Sequence, residues 1–365
     1  MVRRRGAVLI MADEIAKRRA EIDAIDAEIV ARLTRRAELA SEIGKLKGDG
    51  PAYRPEREAD VLRRVTDANP GPLPGEAVAR IFTEIMSACR ALELPLSVGY
   101  LGPAGTFSEM AVRKQFGQSV EAIACGSIDE AFRQVETGAT HYAVVPVENS
   151  TEGAIGRTLD LLLSTPLKIC AEVILRVHQN AMCKGGSLGD VRRVYSHAQS
   201  LGQCQGWLAR NLPGVERIPV ASNAEAARLA AAEPGACAIG PALAAERYGL
   251  EILAANIEDE PNNLTRFLVL GRQECTPTGA DHTSLVMSAP NRPGAVHALL
   301  SPFAKHGVSM SRIESRPARL GTWEYMFYVD LVGHRQDPSV AAALTELQGL
   351  APFLKVLGSY PAAVQ

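Results

Sequence analysis

From Asp13 to Lys47 the chain has no proline and one glycine, and Ile15, Ile22, Ile25, Ile29, Leu33 and Ile43 recur at the spacing of one helical face. The pattern predicts one long amphipathic helix. A helix of this length cannot bury its stripe alone, so a partner helix from a second subunit is expected. At about 100° per residue, Arg36 and Lys47 fall inside the stripe, roughly 20° apart, with Arg19 at its edge about 100° from Arg36. Buried cations need anions. The three together point to a bound anion, with Arg19 serving a site on the partner helix. After a loop at 48–55, Arg57-Glu58 open a second helix to about Asp67. Pro70–Pro74 forms a turn, and a third helix from about Glu76 repeats Ile81, Phe82, Ile85, Met86 and Cys89 and carries Glu93 four residues further on.

Beyond residue 95 short apolar runs alternate with helical patterns, which implies α/β lobes with mostly parallel sheets. Leu96–Leu101 reads as a strand, Gly102–Ser108 as a glycine-rich turn containing Thr106, and 109–116 and 127–136 as helices. The run Tyr142–Val147 is strand-like, then breaks into Glu148, Asn149, Ser150, Thr151 and Glu152. Ligands of open α/β sheets bind at the carboxyl ends of strands, and five consecutive polar residues exceed what a helix cap needs. The competing reading is that Ser150 or Thr151 caps a helix running to Leu163. A crossover strand at 167–177 leads to a second lobe. Its expected parts are a strand into His197, a helix at 200–210, a strand at 216–220, a helix opened by Ser222-Asn223, a strand at 236–240 and a helix at 241–248. His197 reads equally as a functional group or a cap. The chain then returns through 250–257 and the acidic loop 258–260 to Asn263-Leu-Thr-Arg-Phe267 and a last strand. Residues 275–281 read as a polar linker. Beyond it a strand at 283–288, a helix at 295–306, strands at 308–314 and 323–331, a helix at 338–347 and a strand at 354–357 give a ferredoxin-like βαββαβ order.

Composition narrows the chemistry. With 39 Lys and Arg against 41 Asp and Glu over 365 residues, the net charge of -2 creates no field that would recruit nucleic acid or an anionic membrane. The seven cysteines form no CxxC pair and the seven histidines no ligand spacing, so a reducing cytosol is expected, with neither disulfides nor a metal site. No run has the apolar length to span a bilayer. Residues 1–12 read as a disordered or upstream-start extension, with Met11 a candidate start.

The segment 13–95, through Arg19, Arg36, Gly44-Lys-Leu-Lys47, Arg57-Glu58 and Glu93, resembles the all-helical chorismate mutase family found at the front of bifunctional chorismate mutase–prephenate dehydratases. The resemblance implies an intertwined homodimer or higher homo-oligomer around chorismate. Arg36 and the other subunit's Arg19 would hold the carboxylates, Glu58 the ring hydroxyl, and Lys47 with Glu93 the ether oxygen; Arg57 and Cys89 complete the expected set. A Claisen rearrangement needs no cofactor, only a held conformer and donors where charge develops. A carboxyl at Glu93 donates only when protonated, so mutase activity is expected to fall as pH rises. Arg54 stands where some relatives carry an acid near the substrate hydroxyl.

The segment 97–275 resembles the prephenate dehydratase family through Tyr100-Leu-Gly-Pro-Ala-Gly-Thr-Phe107, Val145-Pro-Val-Glu-Asn-Ser-Thr-Glu-Gly153, Ser196-His-Ala-Gln199 and Asn263–Phe267. This implies a fold like a two-lobed periplasmic binding protein with prephenate in its cleft and Thr265 as the catalytic threonine. Thr106, Glu148, Asn149, Ser150, His197, Asn223, Asn263, Arg266 and Phe267 would bind substrate. The segment 282–365 resembles a phenylalanine-binding ACT domain through Asn291-Arg-Pro-Gly-Ala-Val296 and Glu314-Ser-Arg-Pro317. The effector residues would be Asn291, Gly294, Ala295, Val296, Glu314, Ser315 and Arg316, with L-phenylalanine inhibiting the dehydratase. Arogenate as substrate, or a non-catalytic sensor, remain alternatives.

Overall fold

The computed structural model describes residues 2–48, 50–289, 292–317 and 325–363, with backbone only over 2–12. Three helices come first: α1 (Val2–Lys47), α2 (Pro55–Asp67) and α3 (Gly75–Glu93). α1 starts at Val2 and so carries helical backbone into the stretch read as an extension. α3 packs against both α1 and α2. Pro55 opens α2, where a missing N–H costs nothing, and Glu56 and Glu58 sit in the first turn, at the positive end of the helix dipole. The stripe on α1 is not covered by this chain: Ile15, Ile22, Ile25, Ile29 and Ile43 are 49–57% exposed.

Two lobes follow. The first consists of β1 (Ser97–Leu101), α4 (Phe107–Phe116), β2 (Glu121–Cys125), α5 (Ile128–Thr137), β3 (Tyr142–Asn149), β4 (Gly153–Ala154), α6 (Gly156–Ser164) and β5 (Lys168–Arg176). The second contains β6 (Asn180–Cys183), β7 (Arg193–His197), α7 (Ala198–Gln203), α8 (Gln205–Asn211), β8 (Glu216–Val220), α9 (Asn223–Ala232), β9 (Ala236–Gly240), α10 (Ala242–Tyr248) and β10 (Glu251–Ala254), before β11 (Leu264–Gly271) returns to the first. The sheets run β2-β1-β3-β11-β5, with β4 beside β3, and β10-β6-β9-β7-β8.

Neither sheet is mostly parallel, contrary to the expectation from alternation. β1 runs parallel to β2 and β3, and β7 to β8 and β9, while β11 opposes β3 and β5 and β6 opposes β9 and β10. Strands that enter a lobe from the other lobe need no covering crossover helix, so either direction is open to them. β2 escaped the sequence reading because it is a half-exposed edge strand with little alternation. The expected helix at 200–210 is broken at Cys204, where Asp259 of the acidic loop accepts from Gly206 N at 2.7 Å and Trp207 N at 3.0 Å and starts α8 afresh. Ser150 and Thr151 cap no helix: α6 starts at Gly156 behind Ile155, and Gly153-Ala154 folds back on β3 as β4.

The last domain consists of β12 (Asp281–Ala289), α11 (Ala295–Lys305), β13 (Met310–Pro317), β14 (Tyr325–Val332), α12 (Pro338–Leu350) and β15 (Leu354–Pro361), with sheet order β13-β14-β12-β15 and every pair antiparallel. Trp323 and Glu324, expected in the third strand, lie outside the described residues. Its inner strands β12 and β14 are buried on both faces. Leu285, Met287, Phe327 and Val329 pack on α11 and α12, while Val286, Met326, Tyr328, Leu357 and Tyr360 join the first lobe's core with Leu159, Leu162, Ile169 and Leu268. Gly358 permits this docking, since a Cβ there would stand 2.2 Å from Ile169 O. Lys355 caps the carboxyl end of α6, donating to Leu162 O, Leu163 O and Thr165 O at 2.6–3.0 Å. The expected polar linker is built into this interface, with Cys275 and Asp281 buried.

Candidate active sites and the regulatory interface

In the helical domain, α1, α2 and α3 bring Arg36, Lys47, Glu58, Cys89 and Glu93 to one region. Lys47 Nζ lies 3.2 and 3.3 Å from the two Glu93 oxygens. Gly44 permits this: a Cβ there would stand 2.6 Å from Glu93 Cγ. Glu58 is ion-paired with Arg90, a residue not among those expected from sequence, whose side chain is 5% exposed. Burial pushes the Glu58 carboxyl up, and Arg90 and then Arg36 oppose it. Arg57 is exposed, and Arg54 turns to Glu56 at 3.1 Å. Arg19 is exposed on α1, 17 residues or roughly 25 Å from Arg36, so a single chain does not bring the two together.

In the dehydratase-like lobes the register pairs Thr265 with Asn149 and Arg266 with Glu148. Asn149 Oδ1 accepts from Thr151 N at 3.0 Å, Thr151 Oγ1 at 2.6 Å and Glu152 N at 3.2 Å. Two backbone donors fix which end of the amide is oxygen, so Nδ2 faces the other way. It donates to Thr265 Oγ1 at 2.9 Å and to Asn263 Oδ1 at 2.8 Å. Ser150 ties the strands together, accepting from Leu264 N at 2.9 Å. Asn263 is 1% exposed, and its Nδ2 has no partner among the described residues. Thr106 precedes α4 and donates to Leu101 O at 3.3 Å; beside it Gly105 packs on Ala224 and Ala244 of the second lobe. The buried Glu109 accepts from Gly105 N at 2.6 Å and from Arg247 Nη2 at 2.9 Å, joining the lobes. In the second lobe, Asn223 accepts from His197 N at 3.2 Å and Ser200 Oγ at 3.2 Å. The His197 ring caps α7, accepting from Gln199 N at 3.4 Å, so its capping half is what the geometry displays.

Three of the expected substrate contacts face elsewhere. Side chains alternate along a strand, so Arg266 faces the side opposite to the Thr265–Asn149 pair. Arg266 Nε lies 2.8 Å from Glu172 Oε2, Nη1 2.5 Å from Asp330 Oδ2, and Nη2 donates to Tyr360 OH at 2.9 Å. Two of those partners belong to the ferredoxin-like domain. Glu148 likewise pairs with Arg312 of β13, 2.8 Å from Nε. Phe267 is 1% exposed and packs in the first lobe's core with Tyr53, Tyr100 and Phe116. Arg312, Asp330, Glu172 and Tyr360 were missed by sequence reasoning because nothing local marks a residue as facing another domain.

Among the expected effector residues, Gly294 opens α11 at φ 77, Ala295 is buried and Val296 is 37% exposed; Asn291 lies outside the described residues. Ala289 pairs with Tyr325 and Tyr325 with Pro317, so the Gly294 turn and the 314–316 end of β13 share one end of the sheet. Ser315 is exposed, whereas Arg316 turns to the dehydratase-like lobe, 3.3 Å from Asp160 and stacked on Gly156. Glu314 alternates in phase with Arg312 and Arg316 and is half-buried with them. Arg316 thus belongs to the interdomain contact in this structure.

The fold and residues define a helical domain that gathers Arg36, Lys47, Glu58 and Glu93, a pair of α/β lobes with a threonine held by an asparagine, and a small domain wired to the strands that carry them. Residues 18–94 match the chorismate mutase type II family, 98–275 the prephenate dehydratase family and 283–349 the ACT domain. A bifunctional chorismate mutase/prephenate dehydratase of Neisseria gonorrhoeae is 55% identical over 94% of this chain and 96% of its own length. A prephenate dehydratase from Arthrobacter aurescens, solved in complex with L-Phe, is similar with TM-score 0.67 and 36% identity over 73% of this chain and 90% of its own. GqqA, described as a quorum quenching acylase, is similar with TM-score 0.68 and 30% identity over 73% of this chain and 98% of its own. This chain belongs to the bifunctional chorismate mutase/prephenate dehydratases and carries an ACT regulatory domain.

Proposed function

We propose that the mutase domain of this chain rearranges chorismate to prephenate at Arg36, Lys47, Glu58 and Glu93 with Arg19 of a second copy, and that prephenate is then decarboxylated and dehydrated to phenylpyruvate at Thr265. The half-exposed stripe on α1 and the separation of Arg19 from Arg36 support a homodimer. Unpaired, buried cysteines support a reducing cytoplasm.

The observation that carries the dehydratase reading is the bond from Asn149 Nδ2 to Thr265 Oγ1. With its lone pair engaged by the amide, the threonine directs its own proton outward, toward the leaving hydroxyl of prephenate. The amide's pull also makes that O–H a better donor. The Nδ2 of Asn263 beside it, without a partner among the described residues, is a donor for a substrate carboxylate. Loss of the ring carboxylate as CO2 supplies the electron pair that expels the hydroxyl as water and completes the aromatic ring. A Thr265→Val variant is expected to lose dehydratase turnover and keep mutase turnover. Wild-type dehydratase rates in that variant would sink the reading.

L-Phenylalanine bound at the Gly294 turn of the ACT domain reaches the cleft through the paired residues Arg266 and Glu148, each one step along its strand from Thr265 or Asn149. Because a protein described as an acylase shares this fold and 30% of its sequence, likeness does not fix the chemistry, and substrate choice rests on these residues. Arogenate compared with prephenate as substrate measures that choice.

A further inference from the structure

Arg90 lies at the seam between the helical domain and the dehydratase domain. On α3 it follows Met86 by one turn and so falls within the apolar stripe of that helix. Its guanidinium makes three kinds of contact. Nη1 donates to Glu58 Oε1, Nη2 donates to Phe116 O at 2.7 Å, and the Cζ stands 5.3 Å from the Tyr53 ring centroid and 5.7 Å from that of Phe116. Phe116 ends α4, so its carbonyl is one of the last-turn acceptors that no helix N–H reaches, at the negative end of the helix dipole. That carbonyl belongs to the dehydratase domain. The seam is closely fitted around it: Gly117, at φ 73, is within reach of Ser87, Ser119 N donates to Ser87 Oγ at 3.1 Å, and Gln118 N donates to Glu84 Oε2 at 3.0 Å. Tyr53 is fixed in turn, its hydroxyl accepting from Gln115 Nε2 at 2.7 Å and its carbonyl from Gln273 Nε2 at 3.0 Å.

We infer that Arg90 is a positioning residue for the mutase reaction, holding Glu58 aimed and ionised for the ring hydroxyl of chorismate while the carboxyl end of α4 in the dehydratase domain holds Arg90. The inference rests on the mutase reading of Glu58 given above. The charged and titratable groups around Glu58 are Arg90 on α3, Arg36 on α1, Glu56 on its own helix, and Tyr53 and Tyr142. Burial alone favours the neutral acid, and Arg90 is the foremost group opposing it. Removing Arg90 therefore leaves Glu58 protonated over a wider pH range, where it no longer accepts from the substrate hydroxyl. The mutase half of this chain is, by this account, completed by a carbonyl of the dehydratase half.

The test uses the full-length protein in five forms: wild type, Arg90→Met, Arg90→Lys, Glu58→Gln and the Glu58→Gln/Arg90→Met double variant, with mutase and dehydratase rates measured on the same preparations across pH. Arg90→Met is expected to lower mutase kcat/KM by about 100-fold, the order of loss when a reacting partner is mispositioned by about 1 Å. It should also move the acid limb of the mutase profile to higher pH while dehydratase turnover stays at the wild-type level. Arg90→Lys should restore the acid limb in part. If Arg90→Met lowers mutase rates with an unshifted acid limb, Arg90 is only structural and the inference fails. Should Arg90→Met fail to fold because Glu58 is left unpaired, the Glu58→Gln/Arg90→Met double variant removes that charge. The inference requires that Arg90→Met cost nothing further in mutase rate in the Glu58→Gln background, and a cost equal to or above 10-fold there overturns it. Wild-type mutase activity in Glu58→Gln alone would instead sink the role of Glu58 itself.

Discussion

At the scale of single residues, chemistry is decided by which atom of a side chain faces which neighbour. Asn149 is the sharpest case, since its oxygen is held by two backbone N–H groups and a hydroxyl and its amide nitrogen is thereby turned to Thr265. In Asn149→Asp an oxygen would replace that nitrogen, and Thr265 would spend its proton on the new carboxylate. Dehydratase kcat is expected to fall by about 100-fold or more, comparable to losing one oriented donor at a reacting centre, with mutase kcat unchanged in the same preparation. Glu93 gives a second prediction. An amide at that position offers the ether oxygen of chorismate an N–H donor beside Lys47, so Glu93→Gln is expected to retain mutase activity and Glu93→Leu, with no donor, to lose it. Equal mutase rates in the two variants would count against a donor at this position. The sequence displayed Thr265, Asn149, Lys47 and Glu93 plainly, because they sit in dense polar runs or break apolar stripes. It also displayed Arg90 in the stripe of α3, where the test that picked out Arg36 and Lys47 on α1 would have found it.

At the scale of elements, strand alternation does two tasks at once. On β3 and β11 one face carries the bonded pair Asn149 and Thr265 and the other presents Glu148 and Arg266 to the ACT domain. Breaking one of these ion pairs should disconnect the two faces: Arg312→Met is expected to keep dehydratase turnover and to weaken its inhibition by L-phenylalanine. An unchanged inhibition curve would remove Glu148 from the route. The same interface carries a pH dependence. Burial by itself would raise the Glu172 carboxyl, but the bond from His282, the Arg266 guanidinium and Ala363 N–H hold it at about 2. His282 is raised by its bond to Glu172, against the effect of its burial. Glu172 therefore stabilises the fold fully above its ordinary value near 4.5 and loses that contribution as pH falls toward about 2. His282 contributes fully below its ordinary value near 6.5 and loses its share as pH rises past its raised value. Thermal denaturation followed across pH is expected to give this interface its greatest contribution between those two ordinary values. In His282→Gln the decline on the alkaline side should be reduced.

At the scale of the whole molecule, the three domains share walls. The mutase helices rest on α4 through Arg90, and the ACT sheet lends a face to the core of the first lobe through Val286, Tyr328 and Leu357. The uncovered stripe of α1 calls for a second chain, and this has a direct test. Arg19→Ala and Lys47→Ala should each lack mutase activity, and mixing the two under conditions of subunit exchange should restore it, because a mixed dimer rebuilds one intact site. No recovery would mean that each site is built within one chain. The three-domain order, nearly all helices and strands, and the residues proposed to carry the chemistry were legible in the linear string. Periodicity and dense polar runs are local properties, and local properties survive in a linear string. Folding alone turned Arg266, Glu148 and Arg316 to the ACT interface, put Phe267 in the core, mixed the strand directions and set Arg90 between Glu58 and the carboxyl end of α4. Each of those depends on which element a side chain meets after the chain has crossed between lobes, and contacts at a separation of 32 residues for Glu58 and Arg90, or 64 for Arg266 and Asp330, leave no periodic trace.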